Sequence, residues 1–180
     1  MTAEGVFLPQ QLMQLGCATP AEARTALAAI SREELAAWLA TPDGEEVLRA
    51  VFAQMPARYA GGVRGGPLTA RWQVRRDPAG TVAYDLVLRE DVCEVREVRE
   101  VRETGETDSA GGAGGAGGAG GAGGPALTLS VDAAGFVSMA LAAVQGMDLL
   151  LEGRLHIEGD VQLAMRMESL FGLAAPGAPR

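Results

Sequence analysis

Residues 153–171, GRLHIEGDVQLAMRMESLF, change their hydrophobic period at one point and stay apolar on both sides of it. Leu155 and Ile157 alternate with Arg154, His156 and Glu158, the period-two pattern of a strand with one buried face. Gly159 makes a corner, and Asp160 stands where a helix N-cap acceptor belongs. From there Leu163, Met167, Leu170 and Phe171 recur at helical spacing, with Gln162, Arg166 and Ser169 opposite. A strand must therefore turn directly into an amphipathic helix, with both apolar faces on one interior.

The rest of the chain supplies partners for that corner. Thr19 with Glu22, and Ser31 with Glu34, form capping boxes that start short helices. Thr41-Pro42 starts another, whose apolar face is Val47, Leu48, Val51, Phe52 and Met55, and Pro56 is expected to end it. After the glycine-rich crossing at 61–67, Ala70, Trp72 and Val74 alternate with Arg71, Gln73 and Arg75. Residues 77–80, DPAG, form a turn, and Val82, Tyr84, Leu86 and Leu88 then face one way. The two strands read as a hairpin with Trp72 and Tyr84 on its inner side.

The valines at 92, 95, 98 and 101 recur every three residues, a period that fits neither helix nor strand. Strand pairing is expected over 92–98, then fraying, with the glutamates and arginines as a self-paired surface. Residues 104–124 become a glycine and alanine tract that cannot offset its ordering entropy, so a disordered loop is expected. A phosphate-binding loop is the alternative, but no lysine follows and no G-x-G-x-x-G opens a helix. Leu127, Leu129 and Val131 resume the sheet, and Asp132 caps a helix carrying Phe136, Val137, Met139, Ala140, Leu141 and Val144. Gly146 is expected to stop that helix, and 147–151 to form another short apolar one.

The 153–171 segment fills every fixed position of a G-x-L-x-x-x-G-D-x-x-L-A-x-x-x-x-x-L-F run: Gly153, Leu155, Gly159, Asp160, Leu163, Ala164, Leu170 and Phe171. It closely resembles the C-terminal signature of the sterol carrier protein type two family. The helix from about Asp43, followed by Ala57-Arg58-Tyr59 and glycines, resembles that family's opening helix. The resemblance implies an α+β fold: a five-stranded, mostly antiparallel sheet covered by helices around an apolar tunnel for a fatty acyl chain, sterol or similar lipid. The domain would span 43–172, with 104–124 as an insertion, 1–42 as an N-terminal helical extension and 173–180 as a disordered tail.

Composition narrows the function. The net charge of −8 and pI near 4.7 argue against nucleic acid and against tight docking on anionic membranes. All fifteen basic residues are arginine, so lysine Schiff-base chemistry is excluded. The absence of lysine and asparagine matches the codon bias of a GC-rich, actinobacterial type of genome. Cys17 and Cys93 lie in unlike contexts, which suggests reduced thiols rather than a disulfide or metal site. The N-terminus carries no secretory pattern, and the apolar stretch 133–151 is broken by Gln145, Gly146 and Asp148. A cytoplasmic protein without stable membrane insertion is expected.

Catalysis has little to stand on. The single histidine, His156, alternates onto the polar side of its strand, and no nucleophile elbow, zinc motif or CxxC pair is present. No catalytic residue, metal or cofactor is assigned. Periodicity joined to the resemblance selects the tunnel lining: Phe136, Met139, Ala140, Val144, Met147, Leu150, Leu163, Met167, Leu170 and Phe171, with Trp72, Tyr84 and Leu86 on the sheet side. The reading is non-enzymatic binding, and transfer, of a fatty acid, acyl-CoA, isoprenoid or sterol-like lipid, the sterol ranking last. The alternatives are an accessory or catalytic pathway protein holding a hydrophobic intermediate, and an interaction module whose N-terminal helices make a homodimer or bind a protein partner.

Overall fold

The computed structural model describes residues 27–98 and 124–172, together with Thr25. The capping box of Thr19 and Glu22, Cys17, residues 104–123 of the glycine tract and the tail 173–180 lie outside the described residues. Ser31 starts α1 (Arg32–Leu39) with its capping box complete: the Glu34 N–H donates to Ser31 Oγ at 3.2 Å, and the Ser31 N–H to Glu34 Oε2 at 3.0 Å. Thr41 Oγ1 accepts from the Gly44 N–H and starts α2 (Pro42–Arg58). Leu35 and Leu39 of α1 are buried against α2 and the later helix that follows Asp132, so α1 shares one core with them.

The sheet comprises β1 (Leu68–Arg75), β2 (Thr81–Leu88), β3 (Cys93–Val98), β4 (Leu127–Asp132) and, after α3 (Ala133–Ala140) and α4 (Gly146–Leu151), β5 (Leu155–Gly159). A last helix, α5 (Val161–Leu170), follows. The strand order is β3-β2-β1-β4-β5, and only the β1–β4 pairing is parallel. The expected hairpin is β1–β2, with Trp72 directly opposite Tyr84. Register aligns Tyr84, Trp72, Leu129 and Ile157 in one row across four strands, all on the apolar face. The other face carries Arg71, Gln73, Ser130, His156 and Glu158, and Arg71 binds Asp85 there through two hydrogen bonds of 2.7 and 2.8 Å. The helices therefore cover one side of the sheet, as its one-sided patterning requires.

The corner at residues 159–160 forms as its sequence indicates. Gly159 has φ +97°, and a Cβ there would lie 2.4 Å from the Ala126 carbonyl oxygen, so only glycine fits. The Asp160 N–H donates to that same oxygen at 2.9 Å, and Asp160 Oδ1 accepts from the Leu163 N–H at 2.9 Å. Strand end and helix start are thus fixed by adjacent residues.

Two helix ends differ from expectation. Pro56 lies inside the last turn of α2, which continues to Arg58, because its own carbonyl still accepts from the Tyr59 N–H. The α3 helix stops at Leu141, before Val144 and Gly146. Ala142 takes φ +54°, its N–H donates to Met139 O and the Ala143 N–H to Ser138 O, both at 2.8 Å. That is a Schellman closure with alanine where glycine is usual. Gly146 consequently starts α4 rather than ending α3.

Candidate functional site

Between the sheet and the C-terminal helices lies a cavity of about 140 Å³, partly open to solvent. Trp72, Leu86, Leu129, Leu155 and Ile157 make its floor, and Met55 of α2 and Met139 of α3 close its inner side. Gly146, Met147 and Leu150 of α4 stand opposite Val161, Ala164, Met165, Met167 and Glu168 of α5 and the following Phe171. The wall is apolar except at Glu168.

Its rim is unusual for a protein surface. Of the six exposed large hydrophobic side chains among the described residues, five are on α4 and α5: Met147, Leu150, Leu151, Val161 and Met165. Four of these five line the cavity, so apolar surface continues from the interior onto the rim.

Seven of the thirteen residues selected from sequence line this space: Trp72, Leu86, Met139, Met147, Leu150, Met167 and Phe171. Tyr84 and Phe136 are instead packed on either side of Phe52, with ring centroids 4.0 and 4.5 Å away. Leu163 and Leu170 are buried in the core cluster, Ala140 is buried at the end of α3, and Val144 packs against the core from the α3–α4 connection. Sequence reasoning did not select Met55, Leu129, Gly146, Leu155, Ile157, Val161, Ala164, Met165 or Glu168. On α5 a signal did exist. Val161, Ala164, Met165, Glu168 and Phe171 form their own helical stripe, offset by roughly a third of a turn from the core stripe of Leu163, Met167 and Leu170.

Glu168 joins the two walls. Its Oε1 accepts from the Gly146 N–H at 2.5 Å, tying α5 to the start of α4. A Cβ on Gly146 would lie 2.7 Å from that oxygen and 3.3 Å from Met139 Sδ, so a side chain at this position would crowd both. Below the cavity, Arg154 at the entry to β5 holds Asp132 through two hydrogen bonds of 2.9 and 3.0 Å, and Asp132 also caps α3 by accepting from the Gly135 N–H at 2.8 Å. Burial pulls the Asp132 carboxyl up, but the Arg154 and Gly135 hydrogen bonds and the Arg154 charge outweigh it, leaving the group below its ordinary value.

Reactive chemistry is poorly served here. Burial, followed by the Glu94 charge, pushes the Cys93 thiol up to about 11, so almost no thiolate exists at neutral pH. His156 is exposed on the polar sheet face, opposite Ser130 and away from the cavity. Among the described residues no group of three His, Cys, Asp or Glu side chains is placed to hold a metal ion, and no helix is long and apolar enough to cross a membrane.

The model of the SCP-2 sterol transfer family matches residues 107–172, which include β4, α3, α4, β5 and α5. No curated protein matches the chain by sequence. Among solved structures, the chain is similar to palmitated sterol carrier protein 2-like 2 from Aedes aegypti, at 14% identity and TM-score 0.47 over 73% of this chain and 96% of that one. Sterol carrier protein 2-like 3 from the same mosquito gives 16% and 0.44 over 72% and 96%. Apo sterol carrier protein 2 from Yarrowia lipolytica gives 14% and 0.41 over 61% and 70%.

Proposed function

We propose that this chain binds an apolar molecule, a lipid or lipid-like chain, in the cavity between the sheet and α4 and α5, and releases it chemically unchanged. One observation carries the reading: an apolar cavity whose wall continues without interruption into exposed methionine, leucine and valine at its rim. Solvent-exposed apolar side chains are unfavourable unless something covers them, and methionine adapts to ligands of different shape. The family match supports it, because residues 107–172 include all of the α4 and α5 wall.

Magnitudes set the form of the complex. A cavity near 140 Å³ is close to the roughly 150 Å³ that encloses benzene, so it takes about six carbons. At about 0.8 kcal/mol per methylene, six carbons recover about 5 kcal/mol, most of which association entropy cancels. A useful affinity therefore requires the remainder of the ligand to lie across Met147, Leu150, Val161 and Met165, or the methionines to move and lengthen the cavity into a tunnel. The lining residues in this reading are those that border the cavity, and Tyr84, Phe136, Ala140, Val144, Leu163 and Leu170 support them from behind.

The test is a filled cavity. Wild-type protein is expected to enhance the emission of the uncharged dye Nile red, and Met167→Trp or Met139→Trp to weaken that binding at least tenfold while the fold persists by circular dichroism. Unchanged binding in both variants defeats the assignment. Mass spectrometry of molecules that co-purify with the protein then identifies the ligand.

A further inference from the structure

Resting on the cavity reading above, the wall also restricts the polar end of the ligand. Among the described residues Glu168 is the one charged side chain that borders the cavity, and no arginine or histidine does. Its Oε1 takes the Gly146 N–H, the first amide of α4, which is a backbone donor in this wall that a ligand carboxylate could otherwise use. Its Oε2 accepts from no group among the described residues. Among the described arginines, Arg154 binds Asp132 and Glu152, an Arg166 Nη2–H donates to the Gly62 carbonyl at 2.9 Å, and an Arg58 Nη1–H donates to the Ala140 carbonyl at 2.8 Å.

We propose that the polar end of the bound ligand is an uncharged hydrogen-bond donor, a hydroxyl group received by Glu168, and that free carboxylates are selected against. An ionised acid entering this space would meet the like charge of Glu168, with its obvious donor, the Gly146 N–H, already occupied. A hydroxyl instead donates to the free Glu168 oxygen, a hydrogen bond to a charged acceptor and so stronger than a neutral one. Glu168 borders the cavity, so this contact belongs to its wall. The ligand class is thus an apolar alcohol rather than a fatty acid anion or a thioester with an anionic carrier group.

Competition against Nile red by decanol and by decanoate, at pH 8 and 0.15 M salt, separates the two. Decanol is expected to compete at a concentration at least tenfold lower than decanoate with the wild type. In Glu168→Gln, whose amide oxygen still accepts the Gly146 N–H, decanoate is expected to come within about threefold of decanol. Equal competition in the wild type, or a gap that Glu168→Gln leaves unchanged, overturns the inference while the cavity reading stands. Failure of the dye and of both competitors to bind overturns the cavity reading and this inference with it. Where the variant melts too low to assay, the wild type suffices: decanol is expected to shift the Gly146 amide and Met139 methyl resonances, and shifts confined to other lining methyl groups count against the proposal.

Discussion

Over β1 and β2 the apolar sheet face is covered by rings, with Phe52 stacked 4.0 Å from Tyr84 and 4.5 Å from Phe136, and none of the three is exposed. Over β4 and β5 the same face meets methionines and leucines, and about 140 Å³ stays open. Trp72 and Leu86 reach from the first region into the second: Trp72 is edge-on to Phe136 at 5.4 Å, and both are part of the cavity floor. Flat rings have few rotatable bonds and pack into one arrangement, whereas unbranched thioethers do not fix one. The contrast sets, on one continuous sheet, a closely packed end beside an end that keeps open space.

The filled end should give the largest response. Phe52→Ala removes the ring sandwiched between Tyr84 and Phe136 at a position with no solvent exposure. A loss of about 3–5 kcal/mol is expected in urea denaturation, from transfer and cavity terms together. A loss below about 1 kcal/mol would mean that the rings collapse into the gap as methionines do, and the contrast between the two ends would disappear.

The Asp132–Arg154 pair joins the two ends, because Asp132 caps α3 while Arg154 leads into β5. Asp132→Asn keeps the cap acceptor but leaves a mostly buried guanidinium with only the exposed Glu152 carboxylate as counter-charge, for an expected cost of about 2 kcal/mol. The same pair sets an acid limit. The folded carboxyl lies below its ordinary value, so its contribution is complete above the unfolded value of about 3.9 and is lost as pH falls through the folded one. Wild type and Asp132→Asn should therefore differ most in melting temperature above pH 5 and converge in strong acid. A constant difference down to the lowest pH would show that the charge pair is not its source.

Much of this arrangement is legible in the sequence because local rules are strict there. Ser31, Asp132 and Asp160 each cap the helix they precede, and the alternation of β1 and β2 sets Trp72 opposite Tyr84. The open end was less legible for a geometric reason. A helical repeat shows that α5 has an apolar side, but Leu163 and Met165 differ by 200° around its axis, and which stripe faces sheet or cavity depends on the crossing angle. Hence Leu163 and Leu170 are core, while Val161, Ala164, Met165 and Glu168 border the cavity. The end of α3 was hidden for a different reason. Ala142 adopts the left-handed conformation that glycine usually marks, so no local signal separated Val144 from the helix before it.

The smallest expected effect on stability comes from the rim, and it is the one that separates the two ends most sharply. Met165 is two-thirds exposed, 66% by relative area, so Met165→Ser removes little buried surface and should change the unfolding free energy by no more than about 0.5 kcal/mol. A ligand that crosses the rim would cover the same side chain, and losing about 50 Å² of apolar contact at about 25 cal/mol per Å² should weaken Nile red or decanol binding roughly five- to tenfold. Phe52→Ala reverses that ratio, since its cost falls on folding. If Met165→Ser instead destabilises the fold by 1 kcal/mol or more with ligand affinity unchanged, the exposed methionine supports the core, and the ligand does not leave the cavity by way of α5.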